Sequence, residues 1–190
     1  SVGSPDRIKH VAKIINNIQK QTGDQMVVVV SAMGHTTDEL ITLAKQVSNV
    51  RNNREMDMLL ATGEQVSIAL LSMALHEIGA KAVSLTGFQA RIKAEEVYSK
   101  ARIMEIETEK IKEYLDDGNI VIVAGFQGVT ENTEIVTLGR GGSDTTAVAL
   151  AASLNAEVCD IYTDVEGVYT GDPRIIPNTR KLKEISYEEM

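Results

Sequence analysis

The chain has 190 residues, a formal charge of −8, 43% hydrophobic and 24% charged residues. This length and balance suit one soluble globular domain, or a large piece of one, with a core that needs no metal or disulfide staple. The acidic composition, with a pI near 4.9, argues against nucleic acid or an anionic membrane as a partner. The single cysteine, Cys159, excludes an intrachain disulfide framework and suits the reducing cytoplasm. The pure apolar runs, such as 26–30, are far too short to span a bilayer, and the N-terminus shows no signal-peptide pattern.

Ser4-Pro5-Asp6 opens the first predicted helix, with serine as cap and proline at the first helical position. Ile8, Val11, Ala12, Ile15 and Ile18 follow at helical spacing, and Gly23 ends the run. Residues 26–30 read as a strand buried on both faces, the mark of a parallel sheet. Thr36 or Thr37 caps a second helix, with Leu40, Leu43, Ala44 and Val47 on one face. After a polar break at 49–53, helical spacing returns through Met56, Leu59 and Leu60. A further helix carries Val66, Ala69, Leu70, Met73 and Ala74 and stops at Gly79.

Residues 82–85 read as a strand, 89–100 as a polar stretch without a clear element, and 108–117 as a helix. The charged residues between Glu105 and Asp117 read as a helix face. Residues 120–124 form a second buried strand. A small-residue helix over 145–154 and a third strand over 157–162 follow, the latter with Cys159 as a core residue. Alternating strands and helices predict an α/β fold with a mainly parallel sheet. Ser186 and Glu189 have capping-box spacing. The chain stops within that helix's first turn, so a partial domain is expected.

Three apolar strands each lead into a turn of small or polar residues: Ser31-Ala32-Met33-Gly34, Gly125-Phe126-Gln127-Gly128 and Thr163-Asp164-Val165-Glu166-Gly167. In a parallel sheet such turns share the carboxyl edge, where α/β proteins bind ligands. The glycines can also serve only to turn strand into helix.

Gly139-Arg140-Gly141-Gly142-Ser143-Asp144 stands directly before an apolar helix. Glycines bare the backbone N–H groups, the helix N-terminus adds partial positive charge, and Arg140 adds a forked donor for carboxylate or phosphate. Ser143 or Asp144 can cap the helix, but a simple cap requires neither three glycines nor an arginine. The segment is not a Walker loop and does not fit the dinucleotide fingerprint. Residues 162–174 gather carboxylates, hydroxyls, aromatics and Arg174 into a loop suited to a nucleotide or, equally, to solvent.

Glu64 follows Thr62-Gly63 ahead of an apolar helix. It can be a dipole partner in a first turn, or a partner for a ligand ammonium group. His10, His35 and His76 lack metal-ligand spacing, and no Ser/His/Asp or Cys/His set points to covalent catalysis.

The segments 30–34, 56–64, 123–128, 137–144 and 162–165, in this order, closely resemble the motifs of the aspartokinases in the amino-acid kinase superfamily. The resemblance implies a three-layer αβα sandwich, partial over residues 1–190. It also implies MgATP-dependent phosphorylation of the side-chain carboxylate of L-aspartate, on the route to lysine, threonine and methionine.

By the same resemblance Arg140 binds the α-carboxylate of aspartate and Glu64 its ammonium group. Ser31, Thr37, Phe126 and Ser143 line the pocket. Asp144 organises the catalytic lysines and phosphates. Gly34, Gly141, Gly142, Thr163, Asp164, Tyr169 and Arg174 hold ATP with Mg²⁺, and no residue is assigned as a direct metal ligand.

The family's K-F-G-G-T strand, its second lysine in a G-x-K motif and its regulatory ACT domains have no counterpart in this chain. The 190 residues alone are therefore expected to be inactive. The intact enzyme is expected to be a cytoplasmic homo-oligomer or an assembly with ACT-containing chains. The rival readings are a superfamily kinase acting on acetylglutamate, glutamate or UMP, a non-catalytic ligand-binding module, and, more distantly, a nicotinamide dehydrogenase.

Overall fold

The computed structural model describes residues 2–50, 52–163, 167, 169–171, 175–176 and 178–186. Residues 2–160 form one body, and the segment from 161 onward forms a second. In the first body, helix α1 (Pro5–Thr22) begins as its sequence dictates. The Arg7 N–H donates to Ser4 Oγ at 3.3 Å, and Gly23 at φ 75° ends the helix. Then come β1 (Val27–Val30), α2 (Thr36–Val47), α3 (Asn53–Glu77) and β2 (Ala82–Leu85). The rest is β3 (Ile92–Ala94), β4 (Ile103–Ile106), α4 (Glu109–Asp116), β5 (Ile120–Ala124), β6 (Gln127–Val129), β7 (Ile135–Thr137) and α5 (Gly142–Leu154).

Strands β1, β5 and β2 form a parallel sheet in that order, with Val30 opposite Ala124 and Leu85 opposite Val123. Every residue of the central strand β5 is buried. Successive side chains point to opposite faces, so one strand serves two cores. Ile120, Ile122 and Ala124 pack with Ile8, Ala12 and Ile15 of α1 and Ile68, Leu71 and Leu75 of α3. Val121 and Val123 pack with Ile111 and Leu115 of α4 and Leu150 of α5. This is the expected three-layer αβα arrangement.

A second sheet, ordered β4-β3-β6-β7, was not legible in the sequence. Its strands have only three or four residues, and part of it lies where a helix face had been expected, with Glu105 on β4. The chain passes from the first sheet into the second through Gly125-Phe126, where Phe126 takes φ 65°.

Four further expectations are corrected. Strand β1 is only partly buried, because β5 covers one of its edges and nothing among the described residues pairs with the other. Helix α2 starts at Thr36 after His35 and buries none of its residues. The two helices expected on either side of Thr62-Gly63 are one helix of 25 residues, capped by Asn52. By length and composition α3 can cross a membrane, but its buried residues pack on α1 and the sheet as those of a core helix do. Finally, residues 157–162 form no strand. A strand needs a ladder partner, and this segment finds none among the described residues. Val158 is 68% exposed, Tyr162 69% exposed, and Cys159 is exposed rather than in the core.

In the second body, Tyr169 bridges Lys181 in antiparallel fashion, and the Thr170 N–H donates to the Arg180 carbonyl at 3.0 Å. The capping-box residue Glu189 lies outside the described residues.

Burial of β5 sets a stability test. Ile122 is fully buried, so Ile122→Ala is expected to cost about 2–5 kcal/mol through lost transfer energy and the cavity left behind. The exposed Val158→Ala should change stability by less than about 0.5 kcal/mol. Urea denaturation midpoints measure both.

Candidate active site

Because β1 and β5 are parallel neighbours, the turns that follow them lie side by side at one sheet edge. The Gly125 N–H donates to the Val30 carbonyl at 3.0 Å, which places Ser31 beside Gly125. Two of the three turns expected on this edge are thus brought together. Of the third, Thr163 and Gly167 belong to the other body, and Asp164 lies outside the described residues.

The β1 turn is held from below by α3. The Ala32 N–H donates to Glu64 Oε1 at 3.1 Å. Gly63 allows this approach, since a Cβ there would stand 2.9 Å from the Ala32 Cβ. Glu64 is therefore not a first-turn dipole partner. It sits mid-helix, is only 3% exposed, and its Oε2 is buried without a hydrogen-bond partner. Burial pushes its carboxyl up to about 7, against the smaller opposing pull of backbone N–H donors. A buried carboxylate oxygen left unanswered calls for a proton or a cationic partner. Ser31 and Gly34 are exposed in the turn above, and Thr37 is half-buried in the first turn of α2.

The β5 turn interlocks with the start of α5. A Cβ at Gly125 would meet Ser143 Oγ at 2.6 Å, and one at Gly142 would meet the Phe126 ring at 2.8 Å. Helix α5 begins at Gly142 with Gly141 as its cap at φ 70°, and no side chain caps it. Ser143 and Asp144 therefore lie in the first helical turn and are not caps. The uncapped helix start leaves N–H donors at the sheet edge, beside the exposed Arg140.

Three buried polar residues that hold this arrangement were missed in the sequence. Thr146 Oγ1 accepts the Phe126 N–H at 3.2 Å and donates to the Gly142 carbonyl at 2.7 Å. This locks the left-handed Phe126 onto the helix start. Gln127 donates from Nε2 to the Ala61 carbonyl at 2.9 Å and accepts the Gly87 N–H at 3.4 Å. Asp57 ties α3 to the second sheet. Its sequence signal is its phase: Asp57, Ala61, Glu64, Ile68, Leu71 and Leu75 recur at alternating steps of four and three, all buried. Two acids on the core stripe of one helix are legible only once the helix is known to be continuous.

Of the residues expected at the nucleotide, Gly34 lies in the β1 turn, and Gly141 and Gly142 form the start of α5. Thr163 and Tyr169 lie in the second body, and Asp164 and Arg174 lie outside the described residues.

Such an edge, with glycine-lined turns and a bared helix start opposed by a buried acid, fits a zwitterionic or anionic small molecule. The chain belongs to the amino acid kinase family, whose model matches residues 1–190. Within that class its similarity is to aspartokinases. It is 69% identical over 191 residues to the aspartokinase of Geobacillus stearothermophilus and 61% identical over 190 residues to aspartokinase 2 of Bacillus subtilis. In each case the match covers 100% of this chain and 46% of the relative. The crystal structure of aspartate kinase from Synechocystis matches with a TM-score of 0.78 and 53% identity, over 95% of this chain and 29% of that one. The fold is shared with E. coli aspartokinase III, whose structure is a complex with aspartate and ADP. There the TM-score is 0.81 at 24% identity, covering 96% of this chain and 51% of that one. The chain thus spans about half the length of the curated relatives it matches.

Glu64 makes stability depend on pH in a defined direction. Below about 4.5, its ordinary value, the group is protonated both folded and unfolded, and its burial carries no charge penalty. Between there and about 7 the unfolded chain ionises while the folded one holds its proton, so stability is lost as pH rises. Relative to Glu64→Gln, the parent protein should lose on the order of 3 kcal/mol across this window. Urea titrations of both proteins at several pH values measure the difference, and a flat difference overturns the assignment.

Proposed function

We propose that these residues supply the amino-acid-binding part of an aspartokinase, which transfers the γ-phosphoryl group of MgATP to the side-chain carboxylate of L-aspartate. The observation that carries the reading is the unpaired, buried Oε2 of Glu64 at the sheet edge. An α-ammonium group placed against it supplies the missing donor and draws Glu64 into its charged form, with release of a proton. Arg140 offers its fork to the α-carboxylate. Ser31, Thr37, Phe126 and Ser143 line the rest of the pocket, and Asp144 helps organise the groups around the phosphates.

The acceptor suits the chemistry of these residues. A side-chain carboxylate with an ordinary pKa near 4 is already an anion at neutral pH, so no general base is required of this chain. The task is to bring that anion to a polyanion, which is met by positioning and by neutralisation from cations, Mg²⁺ and backbone N–H groups. The uncapped first turn of α5, at Ser143 and Asp144, leaves such N–H groups uncovered, and Gly34, Gly141 and Gly142 place no side chain over the approach to them. The ATP roles of Thr163, Asp164, Tyr169 and Arg174 rest on the resemblance to aspartokinases alone. Cytoplasmic location and assembly, as a homo-oligomer or with ACT-containing chains, have the same basis.

The test uses the intact enzyme that contains these residues. ATP and each of aspartate, glutamate, acetylglutamate and UMP are supplied in turn. Acyl phosphate is trapped with hydroxylamine, and nucleotide products are separated by chromatography. Aspartate is expected to be the preferred acceptor, and preference for another overturns the reading. Arg140→Ala is expected to raise the KM for aspartate about 10- to 100-fold, as loss of a charge-assisted pair does, with the KM for ATP nearly unchanged. Equal losses for both substrates would count against its role.

A further inference from the structure

Asp57 is fully buried, faces no cation in any ion pair among the described residues, and lies in neither of the turns of the proposed pocket. Its carboxylate is nevertheless completely engaged. Oδ2 accepts the backbone N–H groups of Ser99 at 2.7 Å and Thr137 at 2.8 Å. Oδ1 accepts the hydroxyl protons of the same two residues, at 3.1 Å and 3.0 Å. One side chain of α3 therefore grips two separate strands of chain, each through its backbone and its side chain.

Both gripped residues lie at the root of the Arg140 loop. Thr137 ends β7, three residues before Arg140, and its carbonyl accepts the Ala101 N–H at 3.0 Å. The next residue, Leu138, donates to the Phe126 carbonyl at 2.9 Å. Ser99, held at φ 69°, presents its carbonyl 3.4 Å from the position a Cβ at Gly139 would take. On the helix side, Asp57 stands seven residues before Glu64 on the same buried stripe, about 10 Å along the axis. The helix between them is rigid, so the grip of Asp57 fixes the loop that carries Arg140 in relation to the helix that carries Glu64.

We infer that Asp57 is a positioning residue: its four hydrogen bonds, with Ser99 and Thr137, set the spacing between Glu64 and the Arg140 loop, and so the fit of the amino-acid end of the acceptor. This rests on the proposed function. Apolar packing alone does not account for a carboxylate here, since a buried charge without purpose is costly. Nor does an exposed tie on the same seam replace it: Arg54 reaches Glu134, just before β7, at 2.7 Å but is open to solvent.

The experiment compares Asp57→Asn, Asp57→Ala and Arg54→Ala in the intact enzyme, with KM for aspartate, KM for ATP and kcat measured separately. Asparagine can accept the two N–H groups with its oxygen and donate its NH₂ to the two hydroxyl oxygens. It should therefore keep the KM for aspartate within about threefold, because the grip geometry is retained. Alanine leaves all four donors unanswered and should raise that KM about tenfold or more, as misplacement of binding groups does, with the KM for ATP unchanged within about twofold. Arg54→Ala should leave both KM values within about twofold, as expected for an exposed pair.

If Asp57→Ala does not fold, Thr137→Val combined with Ser99→Ala removes only the two hydroxyl donors. It should still raise the KM for aspartate selectively. Parallel rises in both KM values, or a fall in kcat with both KM values unchanged, overturn the positioning role while leaving the kinase reading intact. Absence of aspartate turnover by the unmodified enzyme overturns the kinase reading, and this inference with it.

Discussion

A carboxylate taken out of water must be met by donors, by a cation or by a proton, and helix α3 takes two of them into the core. Asp57 is met by four donors from the protein itself. Glu64 is met by one, with its second oxygen left open. The first acid is closed and fastens the helix to the second sheet. The second is poised between its neutral and charged forms near neutral pH. The rest of the site is arranged around this contrast, because α3 carries both groups on one rigid stripe and touches both the β1 turn and the root of the Arg140 loop.

Close approach of backbone is the second constraint. Gly63 lets α3 reach Ala32, Gly125 lets the β5 turn reach Ser143, and Gly142 lets α5 reach Phe126. Each would be blocked by a single added carbon. Thr146 then fixes Phe126 in a backbone region that side-chain-bearing residues rarely adopt. Such strain persists where the surroundings over-determine it. The consequence for chemistry is preorganisation: donors at the sheet edge are in place before an anion arrives, so little reorganisation accompanies binding.

Helices α1, α4 and α5 and strands β1, β2 and β5 were legible because their signals are local. Ser4-Pro5 and Gly23 bracket α1, and 120–124 is an apolar run long enough to stand alone. The second sheet was not legible, because strands such as β3 and β6 exist only through pairing with distant segments; Lys93 opposite Val129 is one such pairing. Gly63 misled in the opposite direction. A glycine beside a threonine suggests a helix boundary, but here it marks a tight contact within a helix. The segment 157–162 has strand composition without a strand's partner, and composition alone does not supply the ladder.

The sequence by itself determined the class of fold, the paired turns after β1 and β5, and the glycine-arginine loop before α5, since each is written in contiguous residues. It also pointed to Arg140, Ser31, Phe126, Ser143 and Glu64 through motif resemblance. Only the tertiary structure decided that Glu64 lies buried and half-answered, and that Asp57, Gln127 and Thr146 hold the surrounding loops. Burial and hydrogen bonding are properties of what surrounds a residue. Here the partners stand 32 residues from Glu64, and 42 and 80 from Asp57, beyond the reach of any local pattern.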